Sequence, residues 1–137
     1  MPDFRFLILN EKVLFAGFRD DLQAVYSAFN IYAHTSSENG RELFPFAVIY
    51  AMAAGLPVVS TRVGEIPNMV KDGVSGFITG QNEDEISSKI ITLASDFKAS
   101  KKMGEEGKRF LNREFTLEKM GSDILKLYEH VLSIRNA

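Results

Sequence analysis

Residues 42–59 read E-L-F-P-F-A-V-I-Y-A-M-A-A-G-L-P-V-V, Glu42 to Val59, and the order of residue types in this stretch decides the fold. A loop opens a buried helix, Gly55 stops it, and an apolar run follows at once as a strand. Ala51, Met52, Ala53 and Ala54 continue the helix with small residues, so it can lie close against a sheet, and Gly55 is placed for a left-handed cap. The helix start leaves unpaired N–H groups and the positive end of a dipole around Phe44 to Ala47. A phosphate-bearing ligand is the natural guest for such donors.

Outward from this core unit, Pro57 to Thr61 reads as a buried strand. On the N-terminal side, Asn30 to His34 is a strand, and Thr35 to Arg41, polar and containing Gly40, is the loop before Glu42. Asp20 is expected to cap a helix with Gln23 at its third position. Leu22, Val25, Tyr26 and Phe29 then form an apolar stripe for packing on a sheet. Phe4 to Leu9 and Val13 to Phe18 both read as strands, separated by only Asn10, Glu11 and Lys12, a gap too short for a crossover helix.

On the C-terminal side, Gly64 to Pro67 makes a turn into a short helix at Asn68 to Val70. Lys71-Asp72-Gly73 and Ser75-Gly76 are turn signals around a last strand, Phe77 to Thr79. The remaining third is helical. Asn82 is placed to cap a helix with Glu85 reaching back, and Ile86, Ile90 and Leu93 share its inner face. Phe97 to Glu114 has weaker periodicity and two glycines, which predicts a shorter or broken helix. Thr116 caps the last helix, whose stripe is Leu117, Met120, Ile124, Leu127, Tyr128 and Val131. Strands and helices alternating from Val13 to Thr79 predict an α/β fold, a parallel sheet with helices on its faces.

The 137 residues make one ordinary domain. Composition is that of a globular protein, with 45% hydrophobic and 25% charged residues, and a net charge of -2 argues against nucleic acid as a partner. No cysteine is present, so no thiolate metal site is expected, and His34 and His130 are the two imidazoles. No apolar run approaches the roughly 18 residues of a membrane span. A cytoplasmic setting fits this chemistry, and composition does not define an oligomeric state.

In open parallel sheets, ligands bind beyond the carboxyl ends of the strands. Three loops end there: Gly17 to Asp21, Thr35 to Pro45, and Arg62 to Ile66. Glu42 stands just before the helix, where its carboxylate can accept from hydroxyl groups beside a phosphate seated on the helix start. The same pattern also describes a helix start capped by water, with Glu42 as an ordinary first-turn acid worth about 0.3–1 kcal/mol to the dipole. No G-x-G-x-x-G or Walker-type phosphate cradle is present. His34, at a strand end, reads as a packed or capping histidine, and Ser36, Ser37 and Glu38 as polar loop residues.

The order F-A-G-F-R-D-D-L, then S-S-E-N-G-R-E-L-F-P-F-A-V-I-Y-A-M-A-A-G-L-P-V-V-S-T-R-V-G-E-I-P, then K-D-G-V-S-G-F-I resembles the C-terminal half of family 4, or group 1, glycosyltransferases. The likeness runs over residues 13 to 134. It implies the Rossmann-like C-terminal domain of a GT-B enzyme, which binds a nucleotide-sugar donor for transfer with retention, with no metal or other cofactor. It also implies a separate N-terminal half that binds the acceptor and is not among these residues, so that the isolated chain is incomplete for catalysis.

By this resemblance Glu42 is the catalytic-site carboxylate near the transferred sugar. Leu43, Phe44, Pro45, Phe46 and Ala47 surround the diphosphate, with Gly64 in the facing loop, and Gly17 and Arg19 lie towards the base. Tyr50, eight positions after Glu42, stands where the family's second glutamate usually holds the ribose. A phenol offers one donor and a weaker acceptor there. Pro45 replaces the commoner glycine, and Glu65 replaces the second glycine of the usual pair. Leu9-Asn10-Glu11 stands where the family has a loop and a helix. The alternative reading is a non-catalytic remnant of this fold serving as an interaction module.

Overall fold

The computed structural model describes residues 13–37, 39 and 42–135. Along them run α1 (Leu22–Ser27), β1 (Tyr32–His34), α2 (Phe46–Ala53), β2 (Val58–Thr61), α3 (Ile66–Met69), β3 (Gly76–Thr79), α4 (Glu83–Ser95), α5 (Phe97–Glu114) and α6 (Leu117–Arg135). The three strands form one parallel sheet in the order β1-β2-β3, with Tyr32 opposite Val58 and Val58 opposite Gly76. This is the Rossmann-like architecture that the alternating pattern predicts, and the last third is helical.

All four residues of β2 are buried, as a central strand covered on both faces requires. Val58 faces a core of Val48, Ala51 and Met52 from α2, Ile66 and Met69 from α3, and Leu111 from α5. Val59, next along and so on the opposite face, is equally closed off, and α4 packs against β2 and β3. Val48, Ala51 and Met52 lie at helical spacing on the inner side of α2, while Phe46 and Tyr50 stay exposed. Gly55 ends α2 at φ 75, and Leu56 donates its N–H back to the Ala51 carbonyl.

Several expectations need correction. Among the described residues, Val13 to Phe18 pairs with no strand of this sheet, and Leu14 and Phe18 are 85% and 96% exposed. The Phe4 to Leu9 strand and the Leu9-Asn10-Glu11 junction lie outside the described residues. Asp21 rather than Asp20 precedes α1, and its carboxylate binds Arg19 instead of capping. The α1 stripe meets the sheet chiefly through Tyr26, whose ring contacts Tyr32 of β1 and Tyr50 of α2. Asn82 caps α4 by accepting from the Glu85 N–H at 3.0 Å, but the Glu85 carboxylate accepts from Gly80 instead of reaching back to Asn82.

Phe97 to Glu114 is one continuous helix. Its buried face is Ser100, Gly104, Gly107 and Leu111, so the glycines are contact points for close packing and do not break it. The predicted Thr116 cap is present, accepting from Lys119 N–H at 3.1 Å. The α6 stripe, however, stays largely exposed among the described residues, and no residue of that helix is buried. The sheet faces are covered by α2 with α5 and by α4.

Candidate functional site

β1, β2 and β3 end together at His34, Thr61 and Thr79, and hydroxyl groups tie these ends to one another. Ser60 Oγ donates to the His34 carbonyl at 3.0 Å, Thr61 Oγ1 to the Ser36 carbonyl at 2.7 Å, and Thr79 Oγ1 to the Ser60 carbonyl at 3.3 Å. All three donors belong to buried residues, where an unpaired hydroxyl would cost about 1–3 kcal/mol. The loop leaving β1 is therefore fixed in place by β2. Sequence reasoning missed Ser60 and Thr61. Their signal was two hydroxyl residues ending an apolar run, which demands partners once the strand is buried.

Glu42 stands at the far end of that loop, its side chain 31% exposed. Ser36 Oγ donates to Glu42 Oε1 at 2.9 Å, and His34 Nε2 lies 3.5 Å from the same oxygen. Leu43 and Phe44 follow as exposed residues, and buried Pro45 is the N-cap of α2 with extended backbone at φ -71, ψ 111. Proline has no side-chain oxygen, so Phe46 and Ala47 lead the helix with no side-chain cap on their N–H groups. The Phe44 ring packs on Phe115, which meets Phe110, and Lys71 lies over the Phe110 ring at 5.0 Å.

Gly64 closes the site from the β2–α3 loop. A Cβ placed on it would come within 1.6 Å of the Glu42 carbonyl oxygen, and the neighbouring Glu65 N–H donates to the Leu43 carbonyl at 3.2 Å. Glu42, Leu43 and Gly64 are thus brought together by backbone contact. The Glu65 carboxylate is turned along α3, accepting from Asn68 Nδ2 at 2.7 Å.

The Tyr50 ring packs on Tyr26 of α1. With Asp20, Gln23, Tyr26, Ser27 and Lys108 it lines a cavity of about 530 Å³. Gly17 and Arg19 lie in the exposed segment before α1. The Arg19 guanidinium is bound by Asp21, which raises its pKa and holds the Asp21 carboxyl below its ordinary range. The structure therefore groups Glu42, Pro45, Phe46, Ala47 and Gly64 at one sheet end and puts Tyr50 on the groove shared with α1. Tyr32, beneath the site, has its phenol pushed above the ordinary value of 10.0, first by burial and then by Tyr26 and Glu42. Among the described residues no cluster of histidine, aspartate and glutamate could hold a metal ion, and no helix is long and apolar enough to cross a membrane.

The family model described as "Glycosyl transferases group 1" matches residues 5–110. N-acetyl-alpha-D-glucosaminyl L-malate synthase of Bacillus anthracis is 28% identical over 127 residues, 92% of this chain and 32% of that protein. Among solved structures, HepE of Anabaena in complex with UDP has a TM-score of 0.79 at 28% identity, covering 89% of this chain and 33% of HepE. The same protein is also solved in complex with UDP-glucose. The C-terminal domain of LpcC, a group 1 family protein of Francisella tularensis, shares the fold with a TM-score of 0.71 at 24% identity, over 80% of this chain and 56% of that one. This chain spans about a third of the length of its curated relative from Bacillus anthracis, 32%.

Proposed function

Because this chain belongs to the group 1 glycosyl transferases, we propose that it is the donor-binding part of a retaining glycosyltransferase and seats a nucleotide-sugar. The observation that carries this reading is the meeting, at one sheet end, of an α2 N-terminus without a side-chain cap and the half-buried Glu42 carboxylate. The diphosphate accepts from the Phe46 and Ala47 N–H groups in a loop formed by Leu43, Phe44 and Pro45, with Gly64 closing the other side. Glu42 Oε2 accepts from sugar hydroxyls. The nucleoside runs past Tyr50 towards Gly17 and Arg19. The existence of UDP and UDP-glucose complexes of HepE supports this ligand class. Transfer then requires an acceptor-binding half from the remaining two-thirds of a protein of the relatives' length, and this chain alone binds without turning over.

Titration of the isotope-labelled chain with UDP and UDP-glucose is expected to move the Phe46 and Ala47 amide signals. Tyr50→Glu should tighten binding by about tenfold, the worth of one charge-assisted hydrogen bond to the ribose. Undisturbed amides with every nucleoside diphosphate at millimolar concentration would overturn the reading.

A second reading, an interaction module that keeps the fold, draws on Tyr50: its ring packs on Tyr26, and no carboxylate stands there for a ribose. Absence of nucleotide binding in both the parent chain and Tyr50→Glu favours it.

A further inference from the structure

Four side chains connect beneath the proposed sugar end of the site, and His34 Nε2 also lies 3.5 Å from the Glu42 Oε1 that Ser36 binds. Tyr32 Oη lies 3.3 Å from His34 Nδ1, His34 Nε2 lies 3.1 Å from Ser36 Oγ, and Ser36 Oγ lies 2.9 Å from Glu42 Oε1. A proton count orients the line. The Ser36 hydroxyl has one proton, and it goes to Glu42; the opposite arrangement would set a serine lone pair against a carboxylate lone pair at hydrogen-bond distance. The contact between Ser36 and His34 is then a hydrogen bond only if Nε2 carries the imidazole proton. That leaves Nδ1 of a neutral ring bare, and it accepts from the Tyr32 hydroxyl.

We propose that His34 is a positioning residue for Glu42, held as the Nε2–H tautomer in a one-way chain from Tyr32 through His34 and Ser36 to Glu42 Oε1. This deepens the donor-binding reading and rests on it: with Oε1 occupied, Oε2 is the oxygen presented to a ligand hydroxyl. The chain is built into the fold. Ser60 and Thr61 of β2 bind the His34 and Ser36 carbonyls, so the backbone beneath both side chains is fixed before any ligand arrives. The His34 side chain is 13% exposed, which shields its ring from exchange with water. Burial first, then Tyr26 and Glu42, push the Tyr32 phenol up, so its oxygen keeps its proton.

Imidazole nitrogen NMR on the full chain tests this without any ligand, and His130, exposed on α6, serves as the internal reference. A protected Nε2–H proton is expected at His34 and not at His130. Glu42→Gln keeps an acceptor and should keep that signal. Glu42→Ala releases the Ser36 proton, which can then turn to Nε2, and the signal should vanish. An Nδ1–H tautomer at His34, or a His34 proton as exposed to exchange as that of His130, overturns the proposal.

The second arm compares UDP with UDP-glucose. Ser36→Ala and His34→Leu should each reduce the affinity gained from the glucose by about tenfold while leaving UDP affinity unchanged, and His34→Gln, which retains an N–H donor, should recover part of the loss. Equal losses for both nucleotides would mark a merely structural role and overturn the proposal. If the parent chain binds neither nucleotide, the donor reading fails and the tautomer measurement alone decides the proposal.

Discussion

Gly64 shows how much of the site depends on one missing atom. Its φ of 54 is open to glycine and costs other L-residues about 1–2 kcal/mol, and its absent Cβ leaves room for the Glu42 carbonyl. Gly64→Ala is therefore expected to do two things together: lower the thermal unfolding midpoint by several degrees, and displace Glu42 so that UDP-glucose no longer binds more tightly than UDP. A calorimetric scan and a paired titration check both, and an alanine variant with unchanged nucleotide preference would refute the link between this loop and Glu42. The turn at Gly64 was legible in the sequence, but α3 runs Ile66–Met69, so Ile66 and Pro67 belong to the helix rather than the turn and Val70 lies past its end. Which backbone the glycine meets was not legible, because the whole of α2 and β2 lies between Glu42 and Gly64 along the chain, and only folding brings the two segments together.

Among the elements, α5 is where local preference and tertiary packing disagree most. Glycine lowers intrinsic helix stability by about 1 kcal/mol relative to alanine, so two of them in Phe97–Glu114 argue for a break. Packing reverses the argument: a Cβ on Gly104 would sit 2.0 Å from the Gly55 carbonyl oxygen, so close approach of α5 to the end of α2 requires glycine. Gly104→Ala should destabilise the protein by about 1–3 kcal/mol through overpacking. Gly121→Ala on α6, where a Cβ meets nothing within 4 Å, should stabilise by up to about 1 kcal/mol. Urea unfolding of the two variants reads the difference, and the signs should be opposite. In α2, Ala51 and Met52 bury as expected and Val48 joins them at helical spacing, whereas Ala53 and Ala54, read as lying close to the sheet, are exposed at the helix end.

At the scale of the molecule, burial among the described residues is concentrated in α2, β2, α3, β3 and the inner face of α5, while α6 contributes no buried residue. In proteins most helical stability comes from tertiary packing, so among the described helices and strands amide hydrogen exchange should be fastest along Leu117–Arg135 and slowest in Val58–Thr61, where opening requires global unfolding. Protection of α6 equal to that of β2 would contradict this division. Residue order alone carries the alternating α/β order from Asn30 to Thr79, the stop at Gly55, the helical last third and the position of Glu42 before α2. These rest on interactions within a few residues of chain: periodicity, caps and turns. It took the folded chain to show that Val13 to Phe18 stays out of the β1-β2-β3 sheet, that α5 runs unbroken, that the α6 stripe is exposed among the described residues, and that Ser36 and His34 hold Glu42. Each of those depends on which distant backbone or side chain supplies a partner, and a buried polar or apolar group is stable only once that partner is in place.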